Sequence, residues 1–213
     1  MAQLWIGRDA FTGEAVQCPT IGAVSGEDLR AWSAFPRQYG FHGTLRAPCR
    51  LASGVSEDDA VAALHRVSRM FAPFEAGTLE PTTLGDFLAL VPRGANAQLS
   101  ALAEACVRET QALRAELTAA EWQKRKPDAL SEKQRGYLKQ WGYPYIFDEF
   151  RFHLTLTKAL PDLDERSRAL EAAQSHFAAH IGRPLAVDGI ALFVQPEGED
   201  FRIHTYAPLS GSA

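Results

Sequence analysis

The sequence predicts an α+β fold, with two pseudo-symmetric lobes of largely antiparallel sheet around a central cleft. Two observations lead to this prediction. Helix-like and strand-like segments alternate irregularly, without the regular strand–helix–strand order of a parallel sheet. The pattern Phe-His-x-Thr-Leu occurs at 41–45 and again at 152–156. A repeat this far apart in the chain indicates two related units. We therefore expect one bilobal domain over 1–213, with one motif around 39–46 and the other around 150–158.

Four segments carry the signals of amphipathic helices. Ser56 opens the first with a capping-box-like start, and leucines mark a longer second helix over 99–117. The third spans 131–142, from a serine cap to a terminal glycine, and the fourth runs over about 163–181.

Strand signals lie between these helices. The predicted strands are, in chain order, 41–45, 74–79, 87–91, 150–157, 187–194 and 201–206. The segment Gln-Pro-Glu-Gly-Glu-Asp at 195–200 predicts a hairpin turn between the last two. The basic segment 124–128 is predicted to be an exposed connection.

Composition narrows the class of protein. Hydrophobic residues make up 46% of the chain and charged residues 23%, as is typical of globular domains. A net charge of −4 argues against coating nucleic acid through bulk electrostatics. No apolar stretch approaches the roughly 20 residues of a membrane span, and the first residues lack the pattern of a signal peptide. Three widely spaced cysteines form no metal pattern. We therefore expect a cytoplasmic protein without a membrane or an obligate protein partner.

The repeated motif places two polar side chains on one face of each predicted strand. His42 and Thr44 share a face, and so do His153 and Thr155, because residues two apart on a strand point the same way. Two histidines that face one cleft suit acid–base chemistry on a phosphate ester, since imidazole titrates near pH 6.5. The threonine hydroxyls can donate to the non-bridging phosphate oxygens. We therefore predict catalytic roles for both histidines, with no metal.

The flanking residues supply candidates for substrate binding. Arg46 follows the first threonine by two residues, and Arg151 precedes the second histidine by two. Either guanidinium can bind a phosphate. Tyr39, Tyr143 and Tyr145 lie near the motifs and can pack on a sugar or a base. A single His-x-Thr on a strand is usually only a half-buried polar pair, but two copies in matched surroundings favour the functional interpretation.

In these two motifs the sequence resembles the two-histidine phosphoesterase superfamily, whose hallmark is a pair of His-x-Thr/Ser-x motifs. These are matched by His-Gly-Thr-Leu at 42–45 and His-Leu-Thr-Leu at 153–156. Within it, Trp-Ile-Gly-Arg-Asp at 5–9 and Trp-Gly-Tyr-Pro-Tyr at 141–145 resemble the branch associated with bacterial phosphonate-utilisation operons. Members of this branch usually begin with a strand upstream of 5–9, so we expect the first strand of the N-terminal lobe to be missing here.

The resemblance implies a bilobal α+β fold and a phosphoesterase that needs no metal or cofactor. It carries the histidine and threonine roles to His42, Thr44, His153 and Thr155. The expected reaction is hydrolysis or transesterification of a cyclic or diester phosphate, of the 2′,3′-cyclic nucleotide or cyclic sugar phosphate type. The expected partner is a small-molecule phosphoester or a short RNA end. The alternative is a non-catalytic binding protein or sensor for a phosphorylated metabolite or RNA end.

Overall fold

The computed structural model of the protein describes residues 1–94 and 96–212 and confirms the α+β class. Its α-helices are α1 (Ala2–Ile6), α2 (Gly26–Trp32), α3 (Glu57–Ser68), α4 (Ala97–Glu109), α5 (Ala119–Lys124), α6 (Glu132–Trp141) and α7 (Leu163–Phe177). Its strands are β1 (Phe74–Leu84), β2 (Phe87–Pro92), β3 (Leu154–Thr155), β4 (Pro184–Val187), β5 (Gly189–Val194) and β6 (Arg202–Pro208). Short 3₁₀ helices lie at Pro36–Gln38, Gln111–Leu113, Pro127–Ala129 and Phe147–Glu149. In this described part, no helix has the length and apolar character to cross a membrane.

The strands form two antiparallel sheets, as predicted. The larger has the order β3-β2-β1-β4, and the smaller is the β5-β6 hairpin. β1 and β2 are joined by a two-residue turn, since Leu84 pairs with Phe87. Gly85 has φ of 63° in this turn, a backbone region that glycine enters without a steric penalty.

Two clusters of buried side chains form the core. The first joins α1, α2 and α7 to β2 and β3 and includes Trp5, Trp32 and Leu156. The second joins α3 and α4 to β1, β5 and β6 and includes Leu102. Phe152 packs against both clusters. The residue immediately before His153 is therefore held between the two halves of the core.

The predicted helix caps are present, but two helices are shorter than predicted. Ser56 and Ser131 form capping boxes, and Gly142 ends α6 with φ of 79°. The helix predicted over 99–117 ends at Glu109 instead. Beyond it the chain pairs with residues 50–52, through bonds such as Ala52 N–H to the Leu113 carbonyl at 2.9 Å. The helix predicted over 163–181 ends at Phe177. α1, α2 and α5 were not predicted.

The strand predicted at 41–45 is wrong, because this segment makes no ladder and runs as an irregular loop. Gly40 has φ of 77° and breaks the extended path just before it. The strand predicted over 150–157 shrinks to Leu154–Thr155. At its far end the Thr157 hydroxyl accepts from the backbone N–H of Leu88 at 3.0 Å, so a side chain interrupts the ladder. The strand predicted over 187–194 splits at Asp188 into β4 and β5, which belong to different sheets.

Candidate functional site

The two motifs lie against each other although more than a hundred residues separate them in the chain. The ring of Phe152 covers the Cα of Gly43, so closely that a Cβ at this glycine would lie 2.6 Å from Phe152 Cε2. Glycine is therefore required at position 43 by a close approach and not by its backbone angles. This contact brings His42 and His153 into one region of the surface.

Both histidine rings are anchored in the same way. His42 Nδ1 lies 3.0 Å from the carbonyl of Gly40, and His153 Nδ1 lies 2.8 Å from the carbonyl of Arg151. Because a carbonyl oxygen only accepts hydrogen bonds, each Nδ1 carries the proton and donates it. The other nitrogen, Nε2, is then the acceptor of a neutral ring. Each ring thus folds back onto the carbonyl of the residue two before it.

His42 is half-buried in an aromatic stack. Its ring stacks on Tyr39 at 4.8 Å between centroids, and Tyr39 stacks on Phe201 at 4.3 Å. Phe193 lies on another side of the ring at 5.7 Å. The Thr44 hydroxyl lies 3.1 Å from Nε2, where it can donate to the neutral ring. The strand pattern of 187–194 predicted the strand that carries Phe193, and Phe201 lies directly before β6. The approach of these side chains to His42 was not predicted.

His153 has fewer neighbours. Its ring lies 5.9 Å from Phe87, which begins β2. Thr155 is half-buried in β3, where it pairs with Ala89. Each histidine thus contacts an aromatic side chain of a different sheet: Phe193 in the smaller and Phe87 in the larger.

The surroundings of His42 keep its ring neutral. Burial lowers the pKa of His42 below its ordinary 6.5, the bond to the Gly40 carbonyl opposes this, and the positive charge of His153 lowers it further. His42 is therefore a neutral imidazole at pH 7. Nε2 can accept a hydrogen bond or a proton from a bound group.

We expect the His42 ring to titrate below pH 6.5 and the His153→Asn substitution to raise its pKa, because a nearby positive charge is removed. The unfolded chain protonates first as pH falls, so the stability due to His42 is present above pH 6.5 and decreases as pH falls through the lowered pKa. Ring signals followed by NMR during a pH titration test this. The substitution His180→Asn, at an exposed position, is the control. A His42 pKa that is the same in the wild type and in His153→Asn would contradict the proximity of the two rings.

Arg125 is a basic residue of the site that the sequence prediction missed. Its guanidinium lies 4.9 Å from the centre of the Tyr143 ring. Burial raises the pKa of both Tyr39 and Tyr143, and the charge of Arg125 opposes the rise at both phenols. Arg125 therefore supplies positive charge next to the Tyr39–His42 stack. The signal was the basic run at 124–126, which was predicted to be only an exposed connection.

The other residues that were predicted to bind substrate have different surroundings in the structure. Arg46 does not hydrogen-bond His42; its Nη1 donates to the Ala47 carbonyl at 3.2 Å and lies 2.8 Å from Cys49 Sγ. Arg151 is exposed, and its backbone carbonyl anchors the second histidine. Tyr145 is 46% exposed and packs edge-on against Tyr143 at 5.7 Å. The structure thus joins Tyr39, Thr44 and both histidines and turns Arg46 elsewhere. Within residues 1–94 and 96–212, no cluster of three or more His, Cys, Asp or Glu side chains could hold a metal ion.

The fold and the site define a member of a family described as "Protein of unknown function (DUF1045)", whose family model matches residues 44–202, so the chain belongs to that family. Two curated relatives are each named ribose 1,5-bisphosphate phosphokinase PhnN. The one from Laribacter hongkongensis (strain HLHK9) is 38% identical over 204 residues, which are 95% of this chain and 46% of that protein. The one from Janthinobacterium sp. (strain Marseille) is 38% identical over 195 residues, which are 88% of this chain and 42% of that protein.

The chain thus spans less than half the length of the curated relatives that it matches. A solved structure, that of TT0787 of Thermus thermophilus, is similar with a TM-score of 0.45 and 18% identity over 86% of this chain and 85% of that one. A likeness at this level supports no argument about function.

These relatives correct two predictions. The assignment to the two-histidine phosphoesterase superfamily is wrong, because the matching family is DUF1045. The prediction of a hydrolase of cyclic or diester phosphates is also wrong, because the relatives are named as phosphokinases, which are phosphotransferases. The reaction type was predicted wrongly because paired histidines and threonines indicate only a site that binds phosphate and transfers protons. They do not specify whether water or another oxygen receives the phosphoryl group.

Proposed function

We propose that this chain binds a phosphorylated ribose at the surface between His42 and His153, and that it serves phosphonate metabolism in a protein of the ribose 1,5-bisphosphate phosphokinase type. The observation that carries the proposal is that two histidine rings with matched anchoring are brought together by the contact between Phe152 and Gly43. The names of the curated relatives supply the substrate class, a ribose bisphosphate.

The charge of each residue indicates its proposed role in binding. The neutral His42 can accept a hydrogen bond from a hydroxyl group of the ribose, since its pKa is lowered. Arg125 and the protonated form of the His153 ring can donate to phosphate oxygens, and the hydroxyls of Thr44 and Thr155 add neutral donors. In this scheme the two histidines are the catalytic candidates and the other groups bind substrate. Tyr39 can offer its hydroxyl to the sugar, because both faces of its ring are stacked. Arg151 and Tyr145 are exposed and complete the proposed binding surface.

In this proposal the nucleotide that donates the phosphoryl group binds to a part of the phosphokinase that lies outside this chain. The nucleotide-binding P-loop has the signature Gly-x-x-x-x-Gly-Lys-Ser/Thr, and no Gly-Lys pair occurs in this sequence. The curated relatives are more than twice as long as the part that this chain matches. We therefore propose that this chain holds the sugar phosphate and that its activity as a phosphotransferase depends on a nucleotide site outside it.

The arrangement of the site also favours the finer features predicted from the sequence. We propose that the two sheets are the centres of two pseudo-symmetric lobes within one domain over 1–213, with the sugar phosphate in the cleft between them. Phe193 and Phe87 support one histidine each from the two sheets. A cytoplasmic location is part of the proposal, and the three free cysteines suit a reducing compartment.

We expect ribose 1,5-bisphosphate to bind the chain and His153→Asn to weaken binding by about 10–150-fold, because it removes a hydrogen bond to a charged group worth about 1.5–3 kcal/mol. For His42→Asn we expect a loss of about 2–10-fold, because a hydrogen bond between neutral groups contributes about 0.5–1.5 kcal/mol. Isothermal titration calorimetry measures the affinities, and the exposed His180→Asn is the matched control. Equal affinity in all four proteins, or no binding to the wild type, would rule the proposal out. The same ligand with Mg-ATP tests whether the chain alone transfers phosphate, and we expect no transfer.

A further inference from the structure

Two cavities stand out in the described part of the protein. The larger, of about 220 Å³, is a shallow and mainly apolar recess beside Phe11 and Phe41, with no group that identifies a ligand. The smaller, of about 20 Å³, is lined by two arginines, Arg46 and Arg114, and by Tyr143 and Gly142. About 10–15 Å³ of such volume holds one water-sized group. The smaller cavity therefore has room for a single oxygen atom of a larger ligand.

Both guanidinium groups at this cavity are held in place but keep an unused donor. Arg46 Nη1 donates to the Ala47 carbonyl at 3.2 Å, and Arg114 Nη1 donates to the Ala115 carbonyl at 2.8 Å. The Nε atoms of both arginines are buried without a hydrogen-bond partner among the described residues. Buried N–H groups are nearly always paired, so two arginines that line one cavity and each keep an unpaired N–H favour an acceptor at this place.

The charges at the cavity are not balanced within the described residues. Neither Arg46 nor Arg114 forms an ion pair with a carboxylate there. Gly142 lies against the Arg114 guanidinium, so closely that a Cβ at that glycine would lie 3.0 Å from Nε and 3.1 Å from Cζ. Two positive charges at one cavity repel each other, and an anion between them removes this repulsion.

We propose that this cavity is an oxyanion site, in which one oxygen of a phosphate group enters between Arg46 and Arg114. The Tyr143 side chain completes the lining. Burial raises the pKa of Tyr143, so its hydroxyl stays protonated and can donate to an anion. The site therefore combines two guanidinium groups with a neutral donor, a set that favours phosphate over chloride because phosphate offers several acceptor oxygens.

The oxyanion site is separate from the two-histidine surface but borders the same group of aromatic residues. Tyr143, which lines the cavity, also carries the Arg125 guanidinium on its ring. The phosphate can therefore be a free inorganic ion or the second phosphate of a sugar bisphosphate that extends from the histidines. The chemistry at the two arginines is the same in both cases.

Phosphate-dependent thermal stability tests the site in a His153→Asn background, where binding at the histidines is weakened. We expect inorganic phosphate to raise Tm more than chloride at equal ionic strength. Arg46→Gln and Arg114→Gln should each weaken phosphate by about tenfold or more. Arg183→Gln, which removes an exposed charge, is the control and should keep the response. Tyr143→Phe removes only a hydroxyl and gives a second measurement if an arginine variant fails to fold.

The outcomes separate this inference from the proposed function. A phosphate response equal to that of chloride, or one that survives Arg46→Gln, Arg114→Gln and Tyr143→Phe, overturns the oxyanion site whatever the histidine variants show. In the wild-type background, ribose 1,5-bisphosphate and ribose 5-phosphate distinguish the two sources. Arginine substitutions that weaken inorganic phosphate and ribose 1,5-bisphosphate but not ribose 5-phosphate assign the site to the second phosphate of the sugar, whereas substitutions that weaken inorganic phosphate and neither sugar assign it to the free ion.

Discussion

Replacement of Trp5 by alanine is expected to lower the free energy of unfolding by about 3–5 kcal/mol. Trp5 is fully buried in α1, and its ring packs against His176 and Phe177 of α7 at 5.7 Å between centroids. Its indole N–H donates to the carbonyl of Leu156 at 3.0 Å. The substitution removes a large apolar side chain that packs on α7 and leaves the buried Leu156 carbonyl without this donor. The second loss acts directly at the segment that follows Thr155.

Urea denaturation of three variants tests the prediction and separates the contribution of the indole N–H from that of the apolar ring. Leu4→Ala changes an exposed side chain of the same helix and is the control for helix α1, with a small expected loss. Trp5→Phe keeps an aromatic ring and removes the N–H, and we expect a loss of about 1–3 kcal/mol from the unpaired carbonyl. If Trp5→Ala lost no more stability than Leu4→Ala, α1 would not support the second motif.

Substitution of Gly43 by alanine is expected to destabilise the protein by about 1–3 kcal/mol and to weaken sugar-phosphate binding at the same time. A Cβ at position 43 overlaps the Phe152 ring, which cannot yield freely because it packs against both core clusters. The added methyl group therefore pushes the two motifs apart. Since Gly43 follows His42 and Phe152 precedes His153, the separation of the two rings changes with it.

A double-mutant cycle with Phe152→Leu checks the cause of this loss. We expect Gly43→Ala to cost less in the Phe152→Leu background, because the smaller side chain leaves room for the methyl group. Gly136→Ala in α6 is the matched control: a Cβ there meets nothing within 4 Å, and alanine favours the helix by up to about 1 kcal/mol. Equal losses from Gly43→Ala in both backgrounds would exclude the Phe152 contact as the reason.

The candidate site illustrates how far local patterns can predict a structure. The repeat of Phe-His-x-Thr-Leu predicted that two distant segments form one site, and the structure brings the two copies together. The roles of the two histidines stay a prediction. The pattern also predicted that His42 and Thr44 face the same way, and their side chains lie 3.1 Å apart. The predicted strand around His42 was nevertheless wrong, since the loop is held by the ring-to-carbonyl bond and by Gly40 instead of by a ladder.

Contributions from distant segments could not be predicted in this way. Arg125 reaches the site from the end of α5, and Phe193 reaches it from β5, and neither belongs to a recognisable motif. Arg46 shares its segment with His42, but its side chain turns to the carbonyl of Ala47 and to a cavity shared with Arg114. Which residues meet at a site depends on packing between elements, and that information is not contained in the spacing of residues within one element.

By itself, the sequence determined the α+β class, the antiparallel sheets, the capped helices α3 and α6, and the pair of histidines. These features follow from local rules, since caps, turns and alternating apolar residues act over a few neighbouring positions. Only the tertiary structure decided which strands pair, which aromatic and basic side chains surround His42, and where the Arg46 guanidinium lies. The reason is that these arrangements depend on the close packing of two core clusters against Phe152, whose members come from all parts of the chain.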